Sequence, residues 1–377
     1  MIYLDAAATT LQKPPAVGQA VVRAMAECGN PGRSGHRPAL CAARVVYDCR
    51  ETVAQFFGLD DPTRVVFTFN ATHGLNIAIR SLLRKGGHAV ITGYEHNSVV
   101  RPLEHLSENG VTYTVARWPL FDRTAACVAV AQALRKDTCC VIVNHISNVF
   151  GSVAPLEEID DLCAQRGVPL IVDASQSAGV LPLDVSRLSA VTFVCMPGHK
   201  SLYGPQGTGV LLCCKEVELY SLMQGGTGSA SLEKRQPDWL PDGLESGTLN
   251  VPGIAGLQEG LRFVAAHREE IRGREAELCR RLAQRLSAIP GVTCWHTDRG
   301  QSGVLSFRLE GVDPETVGSR LAQKGICVRC GLHCAPLAHE TAGTLPQGTV
   351  RASLSAFTRP AETDALTEAV AKLVKCL

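Results

Sequence analysis

The stretches VPLIVDASQSAGV (168–180) and VTFVCMPGHK (191–200) decide the fold. Each begins with a continuous run of apolar, largely β-branched residues and ends in a turn that carries polar side chains. A strand buried on both faces gives such a run, whereas a strand with one solvated face alternates apolar and polar residues. Both stretches therefore predict inner strands of a mostly parallel sheet that helices cover on both faces.

The same succession of apolar run, turn and helical stretch extends through the first two thirds of the chain. It is typical of an α/β fold in which helical crossovers join parallel strands. The predicted strands are 64–69, 88–92, 111–115, 139–144, 168–173, 191–195 and 209–214. The predicted helices are 16–28, 39–57, 73–84, 97–107, 125–136 and 155–166.

The rest of the chain predicts a second, smaller α+β domain. A chain of 377 residues is longer than the roughly 250–300 residues at which a single core stops growing. We expect an N-terminal arm (1–15) that packs with the small domain, a large domain (16–251) and a small domain (252–377). The predicted elements of the small domain are a helix at about 252–288, a strand at 303–309, a helix at 313–324, a loop at 326–348, a strand at 349–355 and a helix at 360–375.

Composition bounds the partners and the compartment. The chain is 45% hydrophobic with a formal net charge of +1 and has no basic or acidic run, which disfavours disorder, a nucleic-acid partner and a membrane surface. We predict no signal peptide and no membrane-spanning helix, because the N-terminus lacks a basic and then apolar segment and no apolar run is long enough. The sixteen cysteines are scattered and often lie in apolar segments, which favours a reducing cytoplasm.

Polar side chains follow five of the predicted strands, at the edge where an open α/β sheet binds its ligands. Taken singly, each has an ordinary explanation, since a threonine at a helix start is usually a cap and a lysine is usually solvated. Taken together they supply a phosphate cradle, an imidazole, an amide, a carboxylate and an amine. These residues are Thr72, His73, His96, Asn148, Asp173, Gln176, His199 and Lys200.

That set matches the needs of pyridoxal 5'-phosphate (PLP). This cofactor takes a lysine for its aldehyde and an acidic residue that keeps its pyridine nitrogen protonated. A nicotinamide site is disfavoured, because no predicted strand leads into a G-x-G-x-x-G turn. The sequence therefore favours an enzyme that binds PLP through Lys200.

The sequence resembles the fold-type I PLP enzymes of aminotransferase class V, specifically the cysteine desulfurases and selenocysteine lyases. The most specific motifs are G-H-K around Lys200 and R-x-G-x-H-C-A around Cys334, and the second is typical of the group II members, which carry the cysteine on a short structured loop. The matching segments run nearly end to end: YLDAAATT (3–10), VFTFNATHGLNIAI (66–79), EHNSVVRP (95–102), HISNVFG (145–151), VDASQSAG (172–179), GHKSLYGPQGTG (198–209), LESGTLN (244–250), VRCGLHCAPLAH (328–339) and TVRASLSAF (349–357).

The resemblance implies roles around the cofactor ring. Lys200 holds PLP covalently and moves protons, and Asp173 pairs with the pyridine nitrogen. Gln176 hydrogen-bonds the ring hydroxyl oxygen. His96 stacks on the ring face and acts in acid–base steps, and Asn148 lies beside cofactor and substrate.

The resemblance also implies a phosphate site that two subunits share. Thr72, His73 and His199 contact the cofactor phosphate, while Thr248 reaches the phosphate of the other subunit's cofactor. A homodimer is therefore expected.

For the substrate, the resemblance implies that Arg351 pairs with the carboxylate, for which its planar fork is suited. Arg329 lies on the same loop as Cys334, the nucleophile that takes the sulfur. The expected reaction converts L-cysteine to L-alanine and leaves a persulfide on Cys334. The sulfur then passes to a protein acceptor of unknown identity, as in iron–sulfur cluster assembly.

Other functions stay open at this point. Selenocysteine lyase activity on L-selenocysteine uses similar chemistry and does not need Cys334, and a class V aminotransferase or related PLP lyase would not explain the cysteine loop. A PLP-binding partner or regulator with little turnover is the non-enzymatic alternative.

The cysteine loop itself has more than one interpretation. Cys327, Cys330 and Cys334 form C-x2-C-x3-C with His333 and His339 nearby, a spacing that also suits a metal or an iron–sulfur cluster. No second C-x2-C supplies a full set of four ligands, although the two histidines would add to it. We favour the nucleophile because the whole R-x-G-x-H-C-A-P context of the family surrounds Cys334, with Arg329 and His333 as groups that stabilise its thiolate. Cys330 is expected to be a filler, with a second sulfur acceptor or a reversible disulfide as its alternatives.

Three single positions and one dipeptide depart from the family pattern. Residue 6 is Ala where the family usually has Asn, and residue 197 is Pro where many group II members have a phosphate-binding Ser. Residue 332 is Leu where the nearest group II pattern has His, and the Asn-Thr that the family has after Ser353 is absent. We expect these changes to affect cofactor affinity and substrate choice more than the reaction class.

Overall fold

The computed structural model describes residues 1–32, 34–84 and 86–375. The strands are β1 (Ile2–Tyr3), β2 (Val65–Thr68), β3 (Gly87–Thr92), β4 (Val111–Ala116), β5 (Thr138–Asn144), β6 (Leu170–Asp173), β7 (Val191–Pro197), β8 (Gly209–Cys213), β9 (Val292–Trp295), β10 (Val304–Leu309), β11 (Ile326–Cys327), β12 (Arg329–Gly331) and β13 (Thr349–Ser353). The helices are α1 (Pro15–Glu27), α2 (Arg37–Phe57), α3 (Ala71–Leu82), α4 (Asn97–Ser107), α5 (Arg123–Ala133), α6 (Leu156–Arg166), α7 (Val251–Ser287), α8 (Pro314–Gln323), α9 (Pro336–Thr341) and α10 (Pro360–Lys375). Two short 3-10 turns lie at Pro62–Arg64 and Val185–Arg187.

A seven-stranded sheet with the order β2-β8-β7-β6-β5-β3-β4 forms the centre of the protein. β7, β6, β5, β3 and β4 run parallel, and β8 runs antiparallel to both of its neighbours. The predicted α/β fold with a mostly parallel seven-stranded sheet is confirmed. Across the sheet Asp173 pairs with Asn144 on one side and with Cys195 on the other, so the carboxyl ends of β5, β6 and β7 meet at one level.

The inner strands are apolar on both faces because successive side chains enter two different cores. Val141 and Val143 of β5 belong to one hydrophobic cluster, whereas Cys140 and Ile142 belong to the cluster on the opposite face. This alternation follows from the period of two along a strand. Helix cover on both faces thus explains the continuous apolar runs of the sequence.

α7 is the longest helix and connects the two parts of the chain. Asn250 caps its first turn, since Asn250 Oδ1 accepts a hydrogen bond from Gly253 N at 3.1 Å, and Pro252 occupies the first turn, where a proline costs no hydrogen bond. Leu257 and Leu261 join a large-sheet cluster, whereas Leu282 joins the cluster of the second sheet. Within the described ranges, no helix is both long and apolar enough to cross a membrane.

The second sheet is antiparallel, with the order β12-β13-β10-β9, and packs against α7, α8 and α10. The predicted loop at 326–348 is wrong, because it contains β11, β12 and α9. These elements have two, three and six residues, which is too short to show either a helical or a strand period. β9 and β1 were not predicted for the same reason.

The N-terminal segment joins the two sheets. β1 pairs in parallel with β11, Ala7 N donates to Ser353 Oγ at 2.9 Å, and Thr10 N donates to the carbonyl of His199 at 3.2 Å. The segment therefore contacts the small sheet at Ser353 and the turn that follows β7 of the large sheet within ten residues. The division of the chain into arm, large domain and small domain stays a prediction.

Arg50 and Glu245 form a buried ion pair beneath the edge of the large sheet. Arg50 Nη1 and Nη2 donate to the two carboxylate oxygens of Glu245 at 2.9 and 2.7 Å, and Phe67 N donates to Glu245 Oε1 at 2.6 Å. Both side chains are less than one tenth exposed. The pair ties α2 and β2 to the segment that precedes α7.

Glu245→Ala should destabilise the protein by about 3–5 kcal/mol, because it leaves the Arg50 guanidinium buried without a counter-charge. Arg123→Ala is the matched control, since Arg123 and Glu158 form an ion pair with side chains about half exposed, for which the expected loss is under about 1 kcal/mol. Urea denaturation of both variants measures the two losses. Equal losses would contradict this account of the buried pair.

Candidate active site

A pocket of about 470 Å³ opens at the carboxyl ends of β5, β6 and β7. Side chains from the starts of α3 and α4 complete its walls. Of the twelve residues that the sequence predicts for the site, seven line this pocket: Thr72, His96, Asn148, Asp173, Gln176, His199 and Lys200. The strand-end rule therefore brings most of the predicted cofactor residues together.

Lys200 and Asp173 set the electrostatics of the pocket. Burial of the amine disfavours its charged form and lowers the pKa of Lys200 to about 8, although the carboxylate of Asp173 acts in the opposite direction. Among the described residues, no hydrogen bond joins Lys200 Nζ to another protein group. A lysine of this kind is available as a nucleophile toward a carbonyl carbon near neutral pH.

Asp173 is 2% exposed and ends β6. Its Oδ1 accepts a hydrogen bond from Ser175 N at 2.9 Å. The carboxylate is thus fixed at the edge of the sheet, where it can pair with a cationic ring nitrogen of a ligand.

His96 caps α4 and enters the pocket with a defined tautomer. His96 Nδ1 accepts from Ser98 N at 3.1 Å, so the proton of the neutral ring is on Nε2. Burial lowers the pKa of His96 to about 4. The imidazole is therefore neutral at pH 7 and offers an N–H donor.

The start of α3 contributes one wall of the pocket. Asn70 caps this helix, as Asn70 Oδ1 accepts from His73 N at 2.9 Å, and Thr72 follows within the first turn. The His73 ring turns away: it stacks on Phe69 with ring centroids 5.0 Å apart and lines a neighbouring apolar pocket together with Thr248. Neither the His73 ring nor Thr248 lines the pocket of Lys200.

The N-terminal segment fixes the backbone just before Lys200. The carbonyl oxygen of His199 accepts hydrogen bonds from Thr10 Oγ1 at 3.0 Å and from Lys13 Nζ at 2.9 Å, in addition to the one from Thr10 N. The His199 ring bonds Thr9 Oγ1 at 3.0 Å. Backbone and side chain of His199 are thus both held by the arm, which positions the lysine that follows.

The same segment also holds Gln176, whose Nε2 donates to Ala7 O at 2.9 Å. Ala6, one of the departures from the family pattern, is buried and its backbone N donates to Ser353 O at 3.3 Å. The alanine therefore fits the backbone path of the arm without a side-chain hydrogen bond.

Arg351 lies beside the pocket, 1% exposed, on β13. Its Nη2 pairs with Asp5 Oδ1 at 2.6 Å, and its Nη1 donates to Asn148 O at 2.8 Å. Asp5 was not predicted as a site residue, although it lies in the quoted segment YLDAAATT. The guanidinium is thus held at the edge of the site by a residue 346 positions away in the chain.

Asn148 links the pocket to the cysteine loop. Its Nδ2 donates to His333 O at 2.9 Å, while its Oδ1 is buried and has no hydrogen-bond partner among the residues that the structure describes. Nε of Arg351 is buried and unpaired in the same way. Buried polar atoms without a partner are rare in native proteins, and here they indicate that a polar ligand completes the site.

Cys334 is exposed on the loop between β12 and α9. Its carbonyl oxygen accepts from Asn97 N at 2.8 Å, a contact that the sequence did not predict. Arg329 Nη2 lies 3.8 Å from Cys334 Sγ. Asn97 directly follows His96, and Asn148 donates to the carbonyl oxygen of His333; His96 and Asn148 both line the pocket. The two hydrogen bonds therefore hold the cysteine loop beside the Lys200 pocket.

His333, expected together with Arg329 to stabilise the Cys334 thiolate, brings no positive charge to it. His333 is 4% exposed, and burial lowers its pKa to about 2, so that the ring is neutral at pH 7. Cys330 packs on the backbone of Gly318 in α8, and burial raises its thiol pKa to about 11. In the part of the chain that the structure describes, no group of three or more His, Cys, Asp or Glu side chains has a geometry for a metal ion.

Residues 2–366 match a protein-family model described as aminotransferase class-V. A probable cysteine desulfurase from Methanothermobacter thermautotrophicus is 34% identical over 99% of this chain and 94% of that protein. A probable cysteine desulfurase from Mycolicibacterium paratuberculosis is 33% identical over the whole of this chain, which spans only 56% of that longer relative. Among solved structures, the apo cysteine desulfurase of Thermococcus onnurineus NA1 superposes with a TM-score of 0.92 at 29% identity, covering 100% of this chain and 95% of that one.

In ligand-free protein, Lys200→Met should raise the free energy of unfolding at pH 7, because it removes a buried amine whose charge is disfavoured. The folded-state pKa of Lys200 is about 8, against 10.5 for an ordinary lysine, so the unfolded wild-type chain binds more protons between these values. Wild-type stability should therefore rise relative to the variant as pH increases from 8 to about 10.5. Urea denaturation across this range measures the difference.

The exposed Lys136 provides the control. Lys136→Met makes the same chemical change at an exposed position and so measures the effect of the substitution without burial. A gap for Lys200→Met that does not shrink above pH 8 would contradict the buried, destabilised amine.

Proposed function

We propose that this chain, which belongs to the aminotransferase class V family, is a PLP-dependent cysteine desulfurase. The family match confirms the resemblance that its sequence motifs indicate. The enzyme converts L-cysteine to L-alanine and transfers the sulfur to Cys334 as a persulfide. The observation that carries this proposal is the exposed thiol of Cys334, whose Sγ lies 3.8 Å from Arg329 Nη2. The backbone carbonyl oxygen of Cys334 accepts a hydrogen bond from Asn97 N, which holds the residue at the pocket. A class V aminotransferase has no use for a thiol in this place.

The residues of the pocket fit PLP. Asp173 is a fixed carboxylate for the pyridine nitrogen, and Thr72 lies in the first turn of a helix whose free N–H groups favour a phosphate. Within the described part of the chain, Lys200 Nζ has no hydrogen-bond partner. The unpaired Oδ1 of Asn148 supplies one more polar group beside the ligand. Bound at Lys200, PLP acts as an electron sink that weakens the bonds at the substrate's Cα.

Proline at position 197 lines the pocket where many group II members have a phosphate-binding serine. The side chain offers no hydroxyl, so the donors for the phosphate come from Thr72, from the backbone at the start of α3 and from the His199 side of the pocket. The fit therefore depends on fewer side-chain donors than in those relatives.

Arg351 is the group that binds the substrate carboxylate. Its Nη2 pairs with Asp5 Oδ1 at 2.6 Å, a contact that supports a role in binding a carboxylate. The substrate carboxylate binds Arg351 together with Asp5 or displaces Asp5 from it. His96, neutral and with its proton on Nε2, offers a hydrogen bond on the pocket side.

Lys200 moves the proton at the substrate's Cα, since an amine with a pKa of about 8 exchanges a proton readily near neutral pH. The Cys334 sulfur, as thiolate, then bonds to the substrate sulfur while the substrate's Cβ–S bond breaks. The bonding electron pair stays with Cβ, which takes up a proton and becomes the methyl group of alanine. No external oxidant or reductant enters, because the two thiols together give one persulfide and one new C–H bond.

The partners follow from the same proposal. Thr248 is exposed and lies apart from the pocket of Lys200, which is consistent with a role toward the cofactor of a second copy and hence with a homodimer. The persulfide passes to a protein acceptor, and the free cysteines fit a reducing cytoplasm.

Cys334→Ala should keep the visible absorbance of bound PLP but lower sulfide release from L-cysteine by at least about 10³-fold, the scale seen when a covalent nucleophile is removed. Cys330→Ala, four residues away and packed on α8, should release sulfide at the wild-type rate. Unchanged desulfuration in Cys334→Ala would contradict the proposed role.

The same variant separates the nearest alternative. If the protein were a selenocysteine lyase, Cys334→Ala would still release selenide from L-selenocysteine and the wild-type enzyme would act weakly on L-cysteine. Amino-group transfer to an added keto acid would instead indicate an aminotransferase.

A further inference from the structure

A row of three buried side chains lies behind Cys334. His333 Nδ1 and His339 Nε2 are 3.3 Å apart, and His339 Nδ1 is 2.7 Å from Thr344 Oγ1. At the other end, His333 Nε2 lies 3.3 Å from the carbonyl oxygen of Arg329. All three side chains are less than 5% exposed, so solvent does not compete for these hydrogen bonds.

The carbonyl oxygen of Arg329 sets the direction in which the hydrogen bonds of this row are donated. A carbonyl oxygen only accepts, so His333 Nε2 carries a proton and donates to Arg329 O. Burial lowers the pKa of His333 to about 2 and that of His339 to about 4, so each ring holds one proton. His333 Nδ1 therefore accepts from His339 Nε2–H. The hydroxyl of Thr344 lies 2.7 Å from His339 Nδ1 and 3.3 Å from the carbonyl oxygen of His339, so its shorter hydrogen bond is the one to the ring.

The surroundings of His339 would favour an apolar side chain. It is 0% exposed, and its ring meets Phe150 edge-on with centroids 5.7 Å apart. Burying an imidazole there costs free energy unless both nitrogens are hydrogen-bonded, which they are. A polar ring in this place is explained by its hydrogen bonds rather than by packing.

What the row holds is the geometry of the cysteine loop. His333 and Cys334 adopt left-handed backbone conformations, with φ of 51° and 56°, which are unfavourable for residues other than glycine. The bond from His333 to Arg329 O spans the base of this turn. It fixes the backbone of Arg329 relative to the thiol, and Arg329 Nη2 lies 3.8 Å from Cys334 Sγ.

We propose that His339 is a positioning residue for Cys334, which through its hydrogen bond to His333 orients the ring that holds the Arg329 backbone and so keeps the thiol in its attacking position. The inference rests on the proposed function, because it assigns His339 a role in the attack on the substrate sulfur. His339 itself touches neither the thiol nor the pocket of Lys200.

The test compares two replacements of nearly equal volume in the PLP-loaded protein. His339→Gln keeps an N–H donor toward His333, whereas His339→Leu removes it. We expect His339→Leu to lower kcat for sulfide release by about 10²-fold, the cost of displacing a reacting group by ~1 Å, with KM for L-cysteine and the visible absorbance unchanged. His339→Gln should keep a kcat close to that of the wild-type enzyme.

Hydrogen exchange gives a readout that does not depend on turnover. Backbone amides of residues 329–335 should exchange faster in His339→Leu than in His339→Gln or the wild-type protein. A wild-type kcat in His339→Leu overturns the proposal, as does a loss in His339→Gln as large as in His339→Leu, since the latter would show that ring packing and not the hydrogen bond matters.

If His339→Leu does not fold, Thr344→Val decides the question. This change removes the hydroxyl that donates to His339 Nδ1 and frees the ring to adopt the other tautomer. A lower kcat with unchanged KM supports the proposal, and a wild-type kcat overturns it. Failure of the proposed function is distinguishable, because it would leave Cys334→Ala active whatever the His339 variants do.

Discussion

The site depends on one constraint: the carboxyl ends of β5, β6 and β7 lie at the same level of the sheet. Asp173 lies between Asn144 and Cys195 in the parallel register of β5, β6 and β7. β7 ends at Pro197, two residues after Cys195, and Lys200 lies in the turn that follows. A shift of this register by one residue would turn Asp173 to the other face of the sheet. Burial of both faces, with Val and Ile side chains alternating between two cores, fixes that register.

The second constraint is the attachment of the cysteine loop to this edge. Hydrogen bonds from Asn97 N and Asn148 Nδ2 to the carbonyls of Cys334 and His333 join the two parts of the chain directly at the pocket. The N-terminal segment joins them a second time, through Asp5 to Arg351 and through Thr10 to His199. Under the proposed function Lys200 supplies the amino-acid chemistry, and the thiol of Cys334, on a loop that these bonds hold at the pocket, directs it to sulfur.

The sequence predicts those features that depend on local pattern. Short runs rich in β-branched residues locate all seven strands of the large sheet, and the strand-end rule brings seven predicted residues into one pocket. It does not predict side-chain directions. Thr72 and His73 are adjacent, but successive residues of a helix differ by about 100° around its axis, which turns the His73 ring onto Phe69. The pairing of Asp5 with Arg351 and the neutrality of His333 depend on contacts and burial between distant segments, which no local pattern records.

The most direct test of the account is the fate of the substrate sulfur. PLP-loaded protein is mixed with L-cysteine without reductant, quenched with an alkylating agent, digested and analysed by mass spectrometry, while alanine is measured in parallel. The account predicts that the peptide containing Cys334 gains the mass of one sulfur atom, in an amount equal to the alanine formed in the first turnover. Alanine that forms with no added sulfur on Cys334, or with the sulfur on Cys330, would contradict it.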